Sequence, residues 1–222
     1  MRDQIVNLGV FVADTSFRAD RLPKMGETIL GISFALGPGG KGSNQSVATA
    51  MAGGRAHFIT RLGDDSFATM ARDIWAKAGV IPEVTIDPDS YTGAAFVFVQ
   101  NGTGNNAIVI APGAAARIST ADIDARADLI AGAAVFITQL EHPIEAALRG
   151  LEIARQGGAR TIFNPAPAAE IPARMLELSD FITPNESEAE ALTGIAVTDL
   201  DSAERAAATL LAKGAGAAII TL

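Results

Sequence analysis

Apolar residues fall along this chain in two rhythms. Residues 4–13 are almost continuously apolar and β-branched, as in a strand buried on both faces, and the run stops at Asp14. Residues 56–62 repeat the pattern. They lead into Gly63-Asp64-Asp65-Ser66, a turn whose polar side chains suit a helix N-cap. Phe67, Met70, Ala71, Ile74, Trp75 and Ala78 then form one apolar helical face that stops at Gly79, which makes the lone Trp75 a core residue. Ser119-Thr120-Ala121-Asp122 resembles a capping box, and it is followed by strands at 134–140, 161–163, 181–183 and 217–222 and by helices at 144–156 and 201–213. Strands alternating with such helices predict an α/β fold with a mostly parallel central sheet and right-handed crossovers.

Two stretches break that rhythm. Residues 15–36 carry turn residues and a short strand pattern over 27–34, and residues 92–112 read as a hairpin around Asn101-Gly102-Thr103-Gly104-Asn105-Asn106. Together they predict a small, discontinuous β lid over one edge of a core made of 1–14, 37–91 and 113–222. Phe34, Phe96 and Phe98 alternate along its strands, so an apolar outer face is expected to pair with a second copy, giving a homodimer through the lid.

Between these parts lies Gly37-Pro38-Gly39-Gly40-Lys41-Gly42-Ser43-Asn44-Gln45, a Gly-rich loop expected to deliver backbone N–H groups and a helix N-terminus near Ser43 to a ligand. A P-loop would need Ser or Thr after the lysine and Gly five before Gly40, but Gly42 and Ala35 stand there. The dinucleotide pattern G-x-G-x-x-G is met literally by Gly37, Gly39 and Gly42, with Asp64 and Asp65 downstream, in a chain with 22 glycines. A sugar-binding loop is the third reading.

The formal net charge is −8, with no Lys/Arg cluster, which excludes nucleic acid and anionic membrane as natural partners. There is no cysteine, so disulfides, thiol catalysis and zinc-thiolate sites are excluded, and the apolar run near the N-terminus is too short to span a bilayer. No targeting signal is visible, and a cytoplasmic location is expected. Two histidines, His57 and His142, cannot build a multi-histidine metal site, and no G-x-S-x-G is present. Asp14 and Glu141 each follow a buried strand, where α/β sheets meet ligands; for Asp14 a solvated loop residue is the competing reading. Asn185 and Glu188, three apart on one expected helical face, either hold Mg²⁺ or its waters or simply favour the helix dipole.

Taken in order, Gly26-Glu27-Thr28, Gly39-Gly40-Lys41-Gly42-Ser43-Asn44-Gln45, Gly63-Asp64-Asp65, Gln139-Leu140-Glu141, Asn164-Pro165-Ala166-Pro167 and residues 183–194 resemble the ribokinase family of carbohydrate kinases over nearly the whole chain. The resemblance implies a central, mostly parallel sheet with helices on both faces, a two-segment β lid, and ATP-dependent phosphorylation of a primary hydroxyl on ribose or a similar sugar or nucleoside. Asp14, Gly39, Gly40, Lys41, Asn44 and Glu141 match its sugar-binding positions; Asn185 and Glu188 match the motif that organises Mg²⁺-ATP, and Thr221 matches the start of the nucleotide loop. A monovalent cation such as K⁺ belongs to the same expectation. In the family's ribose enzymes an Asn lies two residues before the first acid, where this chain has Val12, and a second is replaced in Gly113-Ala114-Ala115. Gly214-Ala215-Gly216-Ala217 only mimics the family's Gly-Ala-Gly-Asp motif and lacks its acid. No catalytic residue is therefore assigned within 1–222, and the base is expected beyond Leu222. The alternatives are a non-catalytic sugar-binding protein with a degenerate kinase fold, and an NAD-binding oxidoreductase using the literal glycine pattern.

Overall fold

The computed structural model describes residues 3–222. Strand β1 (Gln4–Leu8) enters the centre of the molecule, and β2 (Val12–Ala19) and β3 (Ser33–Gly39) follow. The long apolar run is therefore two strands, not one. The chain leaves the first at Gly9, where a Cβ would come within 2.7 Å of the Gly42 Cα, so α1 (Lys41–Met51) crosses directly over the break. Val10, Phe11, Val12 and Ala13 stay buried while passing between sheets, which is why the sequence shows no interruption.

Strand β4 (Arg55–Leu62) and helix α2 (Ser66–Ala78) come next, with Asp65 accepting from the Ala68 N–H as N-cap and Gly79 closing the helix in the left-handed region. Strand β5 (Ile81–Ile86) has no counterpart in the sequence reading. It lies at the edge of the sheet, half-exposed, where Pro82 is tolerated and the apolar signal is weak. Then come β6 (Thr92–Gln100), β7 (Asn106–Gly113), a 3₁₀ turn at Ala114–Arg117, α3 (Thr120–Asp124), α4 (Ala127–Ala131), β8 (Val135–Thr138), α5 (Ile144–Gly157), β9 (Arg160–Phe163), α6 (Ala173–Glu177), β10 (Phe181–Ile182), α7 (Glu186–Thr193) and α8 (Leu200–Ala212). The Ser119–Asp122 capping box at α3 is present in full.

The central sheet has six strands in the order β10-β9-β8-β1-β4-β5, and every ladder is parallel. Consecutive residues of β4 show how it is covered on both faces. Phe58 packs edge-on against Trp75 of α2, with ring centroids 5.1 Å apart, whereas Ile59 belongs to the cluster containing Ile123, Ile130 and Leu151 from α3, α4 and α5. The second sheet has four strands in the order β3-β2-β6-β7, with β2 and β6 parallel and the outer pairs antiparallel. Its strands reach past the expected 15–36 and 92–112, taking in Val12, Ala13 and Asp14 on one side and Gly37, Pro38 and Gly39 on the other.

Two expected strands are not formed as drawn. Residues 27–32 lie outside β3, with Leu30 and Ile32 exposed, although the Ile32 N–H still donates to the Arg18 carbonyl of β2. Residues 217–222 touch the sheet only through the parallel bridges Ile182↔Ala218 and Asn185↔Thr221, because β10 offers just two residues for pairing.

Candidate functional site

The Gly-rich segment is a strand-to-helix turn rather than a free loop. Gly37, Pro38 and Gly39 end β3, Gly40 is the N-cap with φ 87°, and α1 begins at Lys41, two residues before the expected start. Gly40 is confined by more than its dihedral: a Cβ there would stand 2.4 Å from the Val10 carbonyl oxygen. No side chain within the turn caps α1. That role falls to Glu141, which arrives from the far side of β1 after β8. The Lys41 backbone N–H donates to Glu141 Oε2 at 2.6 Å, and Lys41 Nζ lies 3.9 Å from Oε1. A helix N-terminus thus meets a carboxylate and an ammonium at one point.

Asp14 comes to the same point from the other sheet. It sits in β2 rather than at the end of a central strand, and its carboxylate lies directly over Gly39, where a Cβ would be 2.4 Å from both oxygens. Burial raises the Asp14 pKa. Burial also raises that of Glu141, opposed by the Lys41 N–H and Lys41 charge and reinforced by the negative charge of Asp14. Two carboxylates and one lysine therefore share a partly desolvated site, held close enough to feel each other. Beside them opens a cavity of about 370 Å³ lined by Val10, Val12, Ile110, Leu140 and Pro167 together with Lys41 and Glu141. A larger hollow of about 490 Å³ lies near Ile171 and Leu192, with Glu170 and Lys213 on its wall.

Asn44, one turn into α1 from Lys41, is exposed. Sequence reasoning missed the support beneath this helix. Fully buried Gln139 donates from Nε2 to Gln45 Oε1, and its own Oε1, without a hydrogen-bond partner, packs by Gly9 and Gly42. The only signal was a buried amide in Gln139-Leu140-Glu141.

A second group gathers at the carboxyl end of β10. Asn185 is the N-cap of α7, not a residue of its face: its Oδ1 accepts from the Glu188 N–H at 2.9 Å while Glu188 Oε2 accepts from the Asn185 N–H at 3.0 Å. Thr221 is bridged to Asn185 and donates its N–H to the Pro184 carbonyl. Between the two groups, at the end of β9, Asn164 Nδ2 donates to the Thr183 carbonyl oxygen at 2.7 Å. The order of strands puts β10 two spacings from β8, about 10 Å along one sheet edge. Asn185 Oδ1 and Glu188 Oε2 are engaged by the cap, and no group of three or more His, Cys, Asp or Glu side chains is placed to hold a metal among the described residues. The donors do not make a Mg²⁺ site on their own.

The literal dinucleotide pattern lacks its context. Gly37 and Gly39 belong to an antiparallel edge strand of the small sheet, whereas the fingerprint requires a parallel central strand running into its helix.

Residues 2–222 match the pfkB family carbohydrate kinase description. The chain belongs to that family. It is 40% identical over 220 residues to the ribokinase of Mus musculus, covering 98% of this chain and 68% of that protein. The deoxyribokinase of Salmonella typhi is 34% identical over 224 residues, with 98% of this chain and 72% of the relative covered. Among solved structures, Arabidopsis thaliana ribokinase complexed with ribose and ATP superposes with a TM-score of 0.89 at 26% identity, over 99% of this chain and 72% of that one. No helix among the described residues of this family member is long and apolar enough to cross a membrane.

Proposed function

We propose that this carbohydrate kinase binds a ribose-like sugar between its two sheets and directs phosphoryl transfer from ATP to a primary hydroxyl of that sugar. The observation that carries the reading is that Lys41 at the α1 N-terminus and Glu141 after β8 line one cavity, with Asp14 of the small sheet near enough for its charge to act on Glu141. Carboxylates accept from hydroxyls and the lysine donates to them, so vicinal hydroxyls are recognised as a pair. Gly39 and Gly40 let the backbone approach, and Asn44 is assigned to the rim of the same site. Burial of Asp14 and Glu141 strengthens each hydrogen bond to the ligand and excludes water that would compete for the phosphoryl group.

ATP is assigned to the edge formed by Asn185 and Thr221, along the sheet from the sugar. The ribokinase neighbour solved with ribose and ATP supports a sugar and a nucleotide as the two ligands. Glu188 is assigned to water around the Mg²⁺ carried by the nucleotide, the metal supplying charge neutralisation at the phosphates. The outer face of the lid sheet, with Phe17 and Phe34 rings 5.0 Å apart and Phe17 and Phe96 rings 5.8 Å apart, is assigned to a homodimer contact. Phe98, expected there too, is buried between its neighbours Phe17 and Ala107.

The test is ADP release coupled to a panel of pentoses, hexoses and nucleosides, with sugar binding followed by titration calorimetry. Turnover with a pentose supports the proposal. Sugar binding without ADP release selects the non-catalytic alternative, and neither binding nor turnover overturns the sugar-site reading.

A further inference from the structure

The turn that follows β8 is braced from within the central sheet. The Leu140 N–H donates to the Ala166 carbonyl at 2.9 Å, and Thr138 Oγ1 lies 3.1 Å from His142 Nε2. Helix α1 begins without such support, since its N-cap is Gly40 and no side chain of its own closes the first turn. It is fastened to the braced turn at two points instead. Glu141 Oε2 accepts from the Lys41 N–H, and two residues earlier Gln139 Nε2 donates to Gln45 Oε1. Lys41 and Gln45 are four apart, so both fastenings fall on one face of α1; on the opposite face, Ser43 Oγ accepts from Trp75 Nε1 at 2.9 Å.

Core packing alone does not account for an amide at 139. The residue is fully buried and its Oε1 has no hydrogen-bond partner, a burden on stability that an apolar side chain of the same length avoids. Glu141, meanwhile, has two duties. Its Oε2 holds the helix, and its Oε1 lies 3.9 Å from Lys41 Nζ at the edge of the cavity. A sugar hydroxyl that competes for Glu141 would loosen α1 unless another contact held it. From the paired fastenings we infer that Gln139 is a positioning residue for the sugar site: through Gln45 it keeps the first turn of α1 against residues 139–141, so that Lys41 and Glu141 hold their spacing while Glu141 accepts from the sugar. The inference rests on the sugar-site reading above.

Titration calorimetry of D-ribose and 2-deoxy-D-ribose, run beside urea denaturation, decides it. Gln139→Met and Gln45→Met each remove the link at nearly constant size and are expected to weaken sugar binding about five- to tenfold, and the double variant no further than either alone. The urea midpoint of Gln139→Met should not fall, because the unpaired buried oxygen goes with the amide. Gln45→Glu keeps an accepting oxygen for Gln139 Nε2 and should restore affinity to near that of the wild type. Wild-type sugar affinity in both Met variants, or an affinity loss that merely follows a lowered midpoint and is not rescued by Gln45→Glu, overturns this inference and leaves the kinase reading standing. No binding of either sugar to the wild type overturns the sugar-site reading itself, and this inference with it.

Discussion

Gly39→Ala interrogates the site through a contact that only this fold creates. The new Cβ would stand 2.4 Å from both Asp14 carboxylate oxygens, well inside contact distance. Residue 39 lies in the extended backbone of β3, so alanine carries no dihedral penalty there, and the overlap is with the far end of a rotatable side chain. Asp14 swings away, and since burial already disfavours its charged form, stability should change by less than about 1 kcal/mol. Sugar binding loses a charged hydrogen-bond partner, about 1.5–3 kcal/mol, which is roughly 10- to 150-fold in Kd. Calorimetry on a double-mutant cycle isolates the mechanism: once Asp14→Ala has been made, Gly39→Ala should cost nothing further. A full Gly39→Ala penalty in the Asp14→Ala background, or wild-type sugar affinity in the single variant, would refute the reasoning.

Gly40→Ala is expected to behave differently, because φ 87° and a 2.4 Å approach to the Val10 carbonyl are both backbone constraints; urea denaturation should show a loss above about 2 kcal/mol, and an unchanged midpoint would count against the turn geometry. His142 is buried, accompanied by Thr138 Oγ1 at 3.1 Å, and burial pulls its pKa from 6.5 to about 4. The unfolded chain takes up that proton first, so this contribution to stability is complete above about pH 6.5 and is lost as pH falls toward 4, about 3 kcal/mol in all. Asp14 and Glu141, with raised pKa values, act in the opposite sense at the acid end, so the comparison is wild type against His142→Gln, whose denaturation midpoint should be flatter across that window. Lys41→Ala should weaken sugar binding with ATP affinity little changed; calorimetry showing the reverse would reassign the turn to the nucleotide. Phe34→Asp on the exposed lid face should leave a monomer in sedimentation, and a wild-type monomer at micromolar concentration would remove the dimer assignment.

The amino-acid pattern alone determined the fold class, because buried parallel strands and one-sided helices leave periods that no other arrangement satisfies. It also pointed to residues 37–45 as a candidate binding segment, since Lys41, Ser43, Asn44 and Gln45 put polar groups where a linker needs none. It could not see that β1 ends at Leu8, before Gly9. A chain passing through the core between two sheets is as apolar as a strand, and only the close approach of Gly9 to Gly42 marks the change of direction. It missed β5 for the converse reason, an edge strand carrying too little apolar signal. Glu141 was legible as an acid after a strand, whereas Asp14 lies within β2, and their meeting was not legible, since it depends on the antiparallel pairing of β2 with β3 that lays Gly39 beneath one carboxylate and delivers Lys41 to the other. For Asn185 and Glu188 the reciprocal cap was latent in their spacing, and the structure shows that both are bound by it. The apolar wall facing the carboxylates is wholly a product of tertiary structure, because Val12, Ile110, Leu140 and Pro167 lie on separate segments and become one surface only when the two sheets close on each other.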